Sequence, residues 1–278
     1  MPDTGIGSAV RRTEDQRFLT GTGHYTDDIN RPGQVHAWFL RSPHAHAAIT
    51  KIDTAKAMAA PGVIAVYTGA DTAADKVGGL ICGWVVKDKN GQPHKAPGHP
   101  VIALDTVRHV GDQVAVVIAE TQAQARDAAE LIEVTYQPKP AIIDLAKALD
   151  AGAPQVHADV PGNLCYDWEL GDAAAVAAAF AKADHVTKLD LVNNRLIPNA
   201  MEPRAALGDY DRGSDMLTCH STSQNPHVLR LILCAFILGR YPTHFIGSGL
   251  DWSVIALAAI ALVITLGILT LGFWRPNA

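Results

Sequence analysis

A run of 20 residues without a charged side chain, from Val254 to Phe273, lies close to the end of this sequence. At about 1.5 Å of rise per residue, a helix of this length spans about 30 Å, the thickness of a bilayer's hydrocarbon core. Trp252 and Trp274 lie just outside the run and Arg275 follows it, a placement typical of the membrane interface. The run therefore predicts a single-pass transmembrane helix over 254–273, with a fully enclosed core helix as the alternative.

Charge is distributed unevenly along the chain. After Arg240, only Asp251 and Arg275 are charged. The net charge of −5 and the scattered lysines and arginines exclude nucleic-acid binding, which needs a basic patch. The N-terminus contains no apolar stretch of the secretory type, and basic residues are more numerous before the run than after it. We therefore expect an inner or intracytoplasmic membrane protein with a cytoplasmic N-terminal domain.

The cysteines are far apart and none belongs to a CxxC pair. This spacing predicts neither a zinc site nor a disulfide framework, so we expect reduced thiols. The four residues are Cys82, Cys165, Cys219 and Cys234.

Strand and helix patterns alternate in the first half of the chain. A strand at Ala48–Asp53, a short helix in TAKAMAA and a strand in VIAVYTG are followed by a predicted long surface loop or hairpin, Thr72–Pro100. A second such unit has a strand at Val114–Ala119, a helix at Gln122–Leu131 and a strand at Ile132–Tyr136. One face of its helix carries the small and apolar residues that packing on a sheet requires, namely Ala125, Ala128, Ala129 and Ile132.

After these two strand-helix-strand units comes a connector rich in proline and glycine, and the second half of the chain begins near Asn163. Asp172 is a candidate N-cap for the alanine-rich helix GDAAAVAAAFAKAD. Alternating runs follow in HVTKLDLV and MLTCHSTSQ, and PHVLRLILCAFILG is a further helix candidate.

Several stretches together resemble a known family. They are RRTEDQRFLTGTGHYTDDI, RSPHAHAAITKIDTAKAMAAPGVIAVYTGAD, VRHVGDQVAVVIAETQAQARDAAELIEVTYQPKPAIID, NAMEPRAALGDYD and STSQNPHVLR. The chain resembles the large molybdenum-cofactor subunit of the xanthine dehydrogenase and aerobic carbon monoxide dehydrogenase group. The resemblance implies an α+β fold: an α/β hammerhead domain over 1–150, then the truncated start of the first molybdopterin-binding domain over 151–240. A linker over 241–253, the transmembrane helix and a tail over 274–278 complete the predicted organisation.

The resemblance stops before the part of the family that carries most cofactor contacts. The family's GGGFG segment and the region of its catalytic glutamate have no counterpart here, and only Gln224 matches a glutamine that contacts the molybdenum centre. A large cofactor needs many convergent donors and a closed pocket. We therefore expect no catalytic residues, no bound molybdopterin or molybdenum and no hydroxylase activity, with Gln224 as a vestige.

Two other groups of polar residues could suggest chemistry. His44 and His46 have the spacing of a ligand pair, but no further ligand is apparent, so no metal site is predicted. Glu202 and Arg204 could act as a base and an anion ligand. A salt bridge or a turn contact is the favoured explanation of this pair.

The apolar run carries a second, weaker resemblance. With its WRP ending it is similar to the single span of purple-bacterial light-harvesting polypeptides, particularly the β-type chains. In those chains a histidine ligates bacteriochlorophyll about six residues before the tryptophan. Ile268 stands at that position, so no bacteriochlorophyll is expected.

The favoured functional prediction is a non-catalytic, membrane-anchored accessory subunit, derived from a molybdenum hydroxylase fragment. Its expected partners are the membrane and other membrane-protein subunits, among them light-harvesting polypeptides of a photosynthetic core complex. The alternative is the membrane-anchoring component of a split molybdenum hydroxylase whose cofactor half is on another chain. A truncated relic without function is a third explanation.

Overall fold

The computed structural model of the protein describes residues 9, 11–80, 82, 86–193, 204–214 and 216–233. Within these residues, no helix is long and apolar enough to cross a membrane. The predicted span 254–273 and its interface residues Trp252, Trp274 and Arg275 lie outside the described residues. The transmembrane helix therefore stays a prediction.

The described part of the chain contains six helices and ten strands. The helices are α1 (Asp15–Leu19), α2 (Ala55–Met58), α3 (Gly69–Ala74), α4 (Gln122–Ala129), α5 (Ala173–Ala181) and α6 (Pro226–Leu231). The strands are β1 (His36–Arg41), β2 (Ala47–Asp53), β3 (Val63–Thr68), β4 (Gly79–Leu80), β5 (His99–Pro100), β6 (Thr106–Val107), β7 (Gln113–Ala119), β8 (Glu133–Pro138), β9 (Ala206–Asp211) and β10 (Met216–Ser221).

The strand β7 is the centre of the fold. It lies between β1 and β3, antiparallel to both, and all of its residues are buried. This burial explains why its sequence, QVAVVIA, lacks the alternation of a half-exposed strand. On one face Ala115 and Val117 pack against Ala125 and Ala128 of α4. The predicted strand, helix and packing face are thus confirmed here.

The opposite face of β7 contacts residues from both halves of the chain. Val116 and Ile118 form a buried cluster with Val101 and Ile102, and Ile232 and Leu233, which directly follow α6, pack against this cluster. Because successive strand residues point to opposite faces, the side chains of β7 belong to two hydrophobic clusters, one on each face of the sheet.

A second sheet has the order β6-β2-β8, and a hairpin of β9 and β10 forms the third. The hairpin is tied to the N-terminal residues by the ion pair between Arg31 Nε and Asp209 Oδ2, at 2.8 Å. Thr26 and Thr222 add a contact between their hydroxyls at 3.4 Å. The early part of the chain thus holds the hairpin in place.

The connector before the second half of the chain is organised by one side chain. Asn163 donates from Nδ2 to the carbonyls of Ala148, at 2.9 Å, and Pro154, at 3.0 Å. Its Oδ1 accepts the backbone N–H of Val156 at 3.0 Å. The residue has a φ of 58°, in the left-handed region where asparagine is among the more tolerated side chains. The proline- and glycine-rich connector is therefore a fixed turn.

One sequence expectation differs in part from the structure. The stretch Thr72–Pro100, predicted as a surface loop or hairpin, contains the antiparallel pair of short strands β4 and β5, but it also contains the end of α3, which was not predicted. The helix α3 begins where Asp71 Oδ2 accepts bonds from the backbone N–H and the hydroxyl of Thr68, both at 2.7 Å. This capping signal lay at the edge of a polar stretch, so the composition of the stretch concealed it.

Candidate functional site

The matched glutamine, Gln224, lies in a tight turn between β10 and α6. The next residue, Asn225, is the N-cap of α6: its Oδ1 accepts the backbone N–H of Val228 at 3.4 Å. Pro226 follows at the first helical position, where its missing N–H costs nothing. The backbone N–H of Asn225 in turn donates to Ser223 Oγ at 3.1 Å. The sequence STSQNP therefore folds into a fixed turn that presents Gln224 at the surface.

The helix behind this turn is anchored by Leu229. This residue is buried and packs against Ala206 of β9 and against Leu233. The anchor fixes the turn relative to the hairpin. Gln224 is thus held in place by its neighbours rather than by contacts of its own exposed side chain.

Only one residue of the Glu202 and Arg204 pair lies within the described residues. Arg204 is exposed and directly precedes the hairpin, whereas Glu202 lies outside the described residues. The predicted salt bridge or turn contact therefore stays a prediction.

The two histidines of RSPHAHA have different neighbours. The ring of His44 lies 4.8 Å from that of Tyr136, centroid to centroid, and the backbone of His44 bonds twice with Ser42 Oγ, at 3.0 and 3.1 Å. His46 Nδ1 lies 2.9 Å from the carbonyl oxygen of Pro140. The residues that the structure describes contain no group of three or more His, Cys, Asp or Glu that could hold a metal ion.

A buried polar junction joins the end of β1 to the start of β7. Asp112, only 7% exposed, accepts the backbone N–H of Arg108 on its Oδ2 at 3.0 Å. Its carbonyl oxygen accepts the N–H of Ser42 at 2.8 Å, and the N–H of Gly111 donates to the carbonyl of Ser42, also at 2.8 Å. Arg41 Nη1 closes the junction with a 3.1 Å bond to the carbonyl of Gly111.

Burial dominates the electrostatics of this junction. It lowers the pKa values of Arg41 and His109, and in both cases the charge of Asp112 opposes the shift. Burial likewise lowers the pKa of His157 in the connector, and the positive charge of Arg108 adds to the effect. The guanidinium of Arg108 reaches the connector directly, since its Nε lies 3.3 Å from the carbonyl oxygen of Val156.

Neither Asp112 nor Ser42 is among the candidate residues predicted from the sequence. A signal was present in RHVGDQ, where a Gly-Asp pair directly precedes an entirely apolar strand. A carboxylate in such a place must find donors as it is buried, because an unpaired buried charge is costly. The contacts of the junction join two strands and the connector, so its role is structural.

The cysteines of the described region are Cys82, Cys165 and Cys219, and of these Cys165 and Cys219 are free thiols. Burial raises the pKa of the Cys219 thiol to about 11. This residue therefore remains protonated at neutral pH and is a poor nucleophile. Cys234 lies outside the described residues.

Two family models match the chain in succession. The α/β hammerhead domain of aldehyde oxidase and xanthine dehydrogenase matches residues 20–140, and the molybdopterin cofactor-binding domain matches residues 156–244. The two matches cover the β7 core and the turn around Gln224, and residues 141–155 lie between them. The fold and the turn thus define the molybdenum hydroxylase class of large subunits.

Two curated relatives show which members of this class the chain is similar to. The chain is 37% identical over 234 residues to the nicotine 6-hydroxylase large subunit of Paenarthrobacter nicotinovorans, covering 84% of this chain and 28% of that protein. It is 35% identical over 257 residues to the carbon monoxide dehydrogenase large chain of Afipia carboxidovorans, covering 86% of this chain and 30% of that protein. The chain therefore spans less than a third of the length of these relatives.

Solved structures agree with the sequence matches. Quinoline 2-oxidoreductase from Pseudomonas putida 86 superposes with a TM-score of 0.74 at 33% identity, over 86% of this chain and 29% of that one. The carbon monoxide dehydrogenase of Oligotropha carboxidovorans gives a TM-score of 0.73 at 32% identity, over 96% of this chain and 34% of that one. The chain belongs to the xanthine dehydrogenase and carbon monoxide dehydrogenase large-subunit family, and it corresponds to the N-terminal region of that large subunit.

These matches correct the functional prediction. The expected non-catalytic, membrane-anchored accessory subunit of a light-harvesting complex is wrong, because the relatives are large subunits of molybdenum hydroxylases. The antenna likeness depended on a single apolar helix, and apolar composition is shared by unrelated spans. The hydroxylase match extends over more than 200 residues with a defined order of elements, so it is far more specific.

Proposed function

We propose that this chain supplies the hammerhead domain and the first part of the molybdopterin-binding domain of a molybdenum hydroxylase large subunit. The observation that carries the proposal is the pair of successive family matches, 20–140 and 156–244, together with the superposition on quinoline 2-oxidoreductase. In this role the chain frames the cofactor site, and polypeptide equivalent to the rest of a large subunit completes it.

The described residues do not fit molybdopterin by themselves. Gln224 is exposed on its turn, and the hydrogen bonds of that turn belong to Ser223 and Asn225. One amide cannot enclose a cofactor that requires many convergent donors. We propose that residues 1–278 alone bind no molybdenum and catalyse no hydroxylation.

Gln224 is the residue of this chain that would face the completed site. Its place on a capped, anchored turn suits a fixed hydrogen-bond donor, because the backbone on both sides is held by side-chain bonds. An amide in that position donates through its nitrogen and accepts through its oxygen, so it can orient a polar group without exchanging a proton. When bound, molybdopterin would supply the redox chemistry of the hydroxylase.

Metal analysis of two preparations tests the proposal. The full chain is purified alone, and also after co-expression with the part of the nicotine 6-hydroxylase large subunit that follows the matched region, in a host that makes molybdopterin. We expect molybdenum only in the second preparation. Stoichiometric molybdenum on the chain alone would overturn the claim that it binds none, and a second preparation without molybdenum would overturn the proposed role.

A matched pair of variants assigns the contribution of Gln224. Gln224→Ala is expected to lower the molybdenum content of the co-expressed complex. Gln16→Ala makes the same change on an exposed residue of α1 and is expected to leave the molybdenum content unchanged. Equal molybdenum in both variants would show that Gln224 is vestigial.

A further inference from the structure

Four histidines surround the place where the buried junction meets the connector, residues 148–163. The rings of His99 and His109 lie 6.3 Å apart, centroid to centroid. The charges of His46 and His99 both act on His157 of the connector. We call these four residues the histidine cluster. Histidine is the side chain whose charge ordinarily changes between about pH 5 and about pH 8, so the cluster concentrates a change of charge at one place.

The cluster is assembled from separate parts of the chain. His46 directly precedes β2, and its Nδ1 lies 2.9 Å from the carbonyl oxygen of Pro140. His99 begins β5, and His109 lies between β6 and β7. The fourth member, His157, belongs to the connector. Protonation of the cluster therefore acts where the first half of the chain holds the connector.

Positive charges dominate the surroundings of His157. Burial lowers its pKa most, the charges of Arg108, His99 and His46 lower it further, and Asp159 opposes the shift. Arg108 also holds the connector beside His157, because its Nε lies 3.3 Å from the carbonyl oxygen of the preceding residue. A protonated His157 therefore repels the guanidinium that binds the connector.

His109 acts on the same arginine through Asp112. His109 Nδ1 lies 3.7 Å from Asp112 Oδ2, the oxygen that accepts the backbone N–H of Arg108 at 3.0 Å. Burial lowers the pKa of His109 most, the charges of His99 and Arg41 add to the shift, and Asp112 opposes it. Once protonated, the imidazolium is a charged donor and competes with the Arg108 N–H for this oxygen. Protonation of His109 thus weakens the support of Arg108.

The permanent charges around the two histidines balance only while the histidines are neutral. Arg41 and Arg108 supply the positive charges, and Asp112 and Asp159 supply the negative ones. Each proton that the cluster takes up therefore adds positive charge without a matching carboxylate. The resulting repulsion falls on Arg108, which the junction holds by its backbone and the connector by its side chain.

We propose that the histidine cluster is a pH-sensitive latch: with neutral histidines Arg108 holds the connector, and protonation of His109 and His157 releases it while the β7 core stays folded. The pKa values of both histidines are lowered from 6.5, so the released state binds protons more readily. The latch is therefore closed above pH 6.5 and opens as the pH falls below that value. It uses contacts within this chain and does not rest on the proposed function.

Hydrogen exchange of the full chain at about pH 7.5 and about pH 5.5 tests the latch, with rates corrected for the intrinsic effect of pH. Protection of the Arg108 amide and of the connector amides at Val156 and Asn163 should fall about tenfold or more at the lower pH. The amides of Val116 and Val117 in β7 should keep their protection. Unchanged protection of the connector would overturn the latch, and so would an equal loss in β7, which would indicate global unfolding.

A pair of variants assigns the effect to the cluster. H109Q/H157Q cannot take up the two protons, so its connector should stay protected at about pH 5.5. His24→Gln is the control, because it removes an exposed histidine outside the cluster, and it should open as the unaltered chain does. Loss of connector protection in H109Q/H157Q equal to that of the unaltered chain would contradict the proposal.

An NMR titration of the unaltered chain gives a measurement that does not depend on the variants. The rings of His109 and His157 should titrate below pH 6.5, and the Arg108 amide should shift over the same pH range. A transition of the Arg108 amide at a pH where neither ring titrates would refute the latch.

Discussion

Replacing Asp112 by alanine removes the carboxylate at the centre of the buried junction between β1 and β7. Its Oδ2 accepts the backbone N–H of Arg108 at 3.0 Å, in a residue that is 7% exposed. The bond between Ser42 N–H and the carbonyl of residue 112 survives any side-chain change, because it belongs to the backbone. The substitution therefore isolates the contribution of the carboxylate.

The expected cost at neutral pH follows from this hydrogen bond. The carboxylate also lies 3.7 Å from His109 Nδ1, but that contact is an ion pair only when the histidine is protonated. A hydrogen bond to a charged acceptor contributes about 1.5–3 kcal/mol, and an unpaired buried N–H costs about 1–3 kcal/mol. These figures describe the same loss, so Asp112→Ala should lower the free energy of unfolding by about 2–3 kcal/mol. Asp112→Asn keeps an oxygen that can accept the Arg108 N–H and should cost about 1 kcal/mol. The exposed Asp105→Ala should stay within about 0.5 kcal/mol.

Urea unfolding followed by far-ultraviolet circular dichroism measures these differences. An NMR titration of His109 adds a local measurement: its pKa, already lowered by burial, should fall further in both Asp112 variants because the carboxylate that opposes the shift is gone. Equal stability of Asp112→Ala and Asp105→Ala would refute the reasoning, and so would an unchanged His109 pKa.

Three further predictions concern the core, a helix cap and pH. Val117→Ala should lower the free energy of unfolding by about 2–3 kcal/mol, measured by urea unfolding, because it opens a cavity under α4 in a fully buried strand. Thr121→Ala should cost about 1 kcal/mol in the same assay, since Thr121 Oγ1 accepts the backbone N–H of Gln124 at 3.2 Å. The pKa of His157 is lowered from 6.5, so the unfolded chain binds its proton more readily and stability should fall as the pH drops through 6.5. His157→Gln should therefore show a smaller loss of stability between about pH 7.5 and about pH 5.5.

The central elements were predictable because local pattern and tertiary packing agree there. The strand and helix around Val114–Ala119 and Gln122–Leu131 have high intrinsic propensity, and a single apolar face sets their packing. The N-caps at Asp172 and Thr121 act within three residues, so they are also accessible to sequence reasoning. The structure confirms the strand, its helix and the Asp172 cap.

The buried junction and the connector depend on contacts that the sequence does not reveal. Asp112 meets Ser42 across 70 residues of chain, and Asn163 satisfies the carbonyl of Ala148 across 15. Nothing in either local sequence requires these partners. The alternating run HVTKLDLV shows the converse, because its pattern predicts a strand, whereas the described residues 185–192 form no strand.

The light-harvesting resemblance and the hydroxylase resemblance depend on different kinds of sequence evidence. An apolar run of sufficient length constrains only the solvent of a helix, since many sequences satisfy it and few side chains are specified. The hydroxylase resemblance depends on several separate stretches that occur in one order, and they fall within or beside the two matched ranges, 20–140 and 156–244. Each of those positions has a separate physical requirement, so agreement at many of them cannot come from composition. For the same reason a test of function belongs at Gln224, where a single side chain has a specific proposed role.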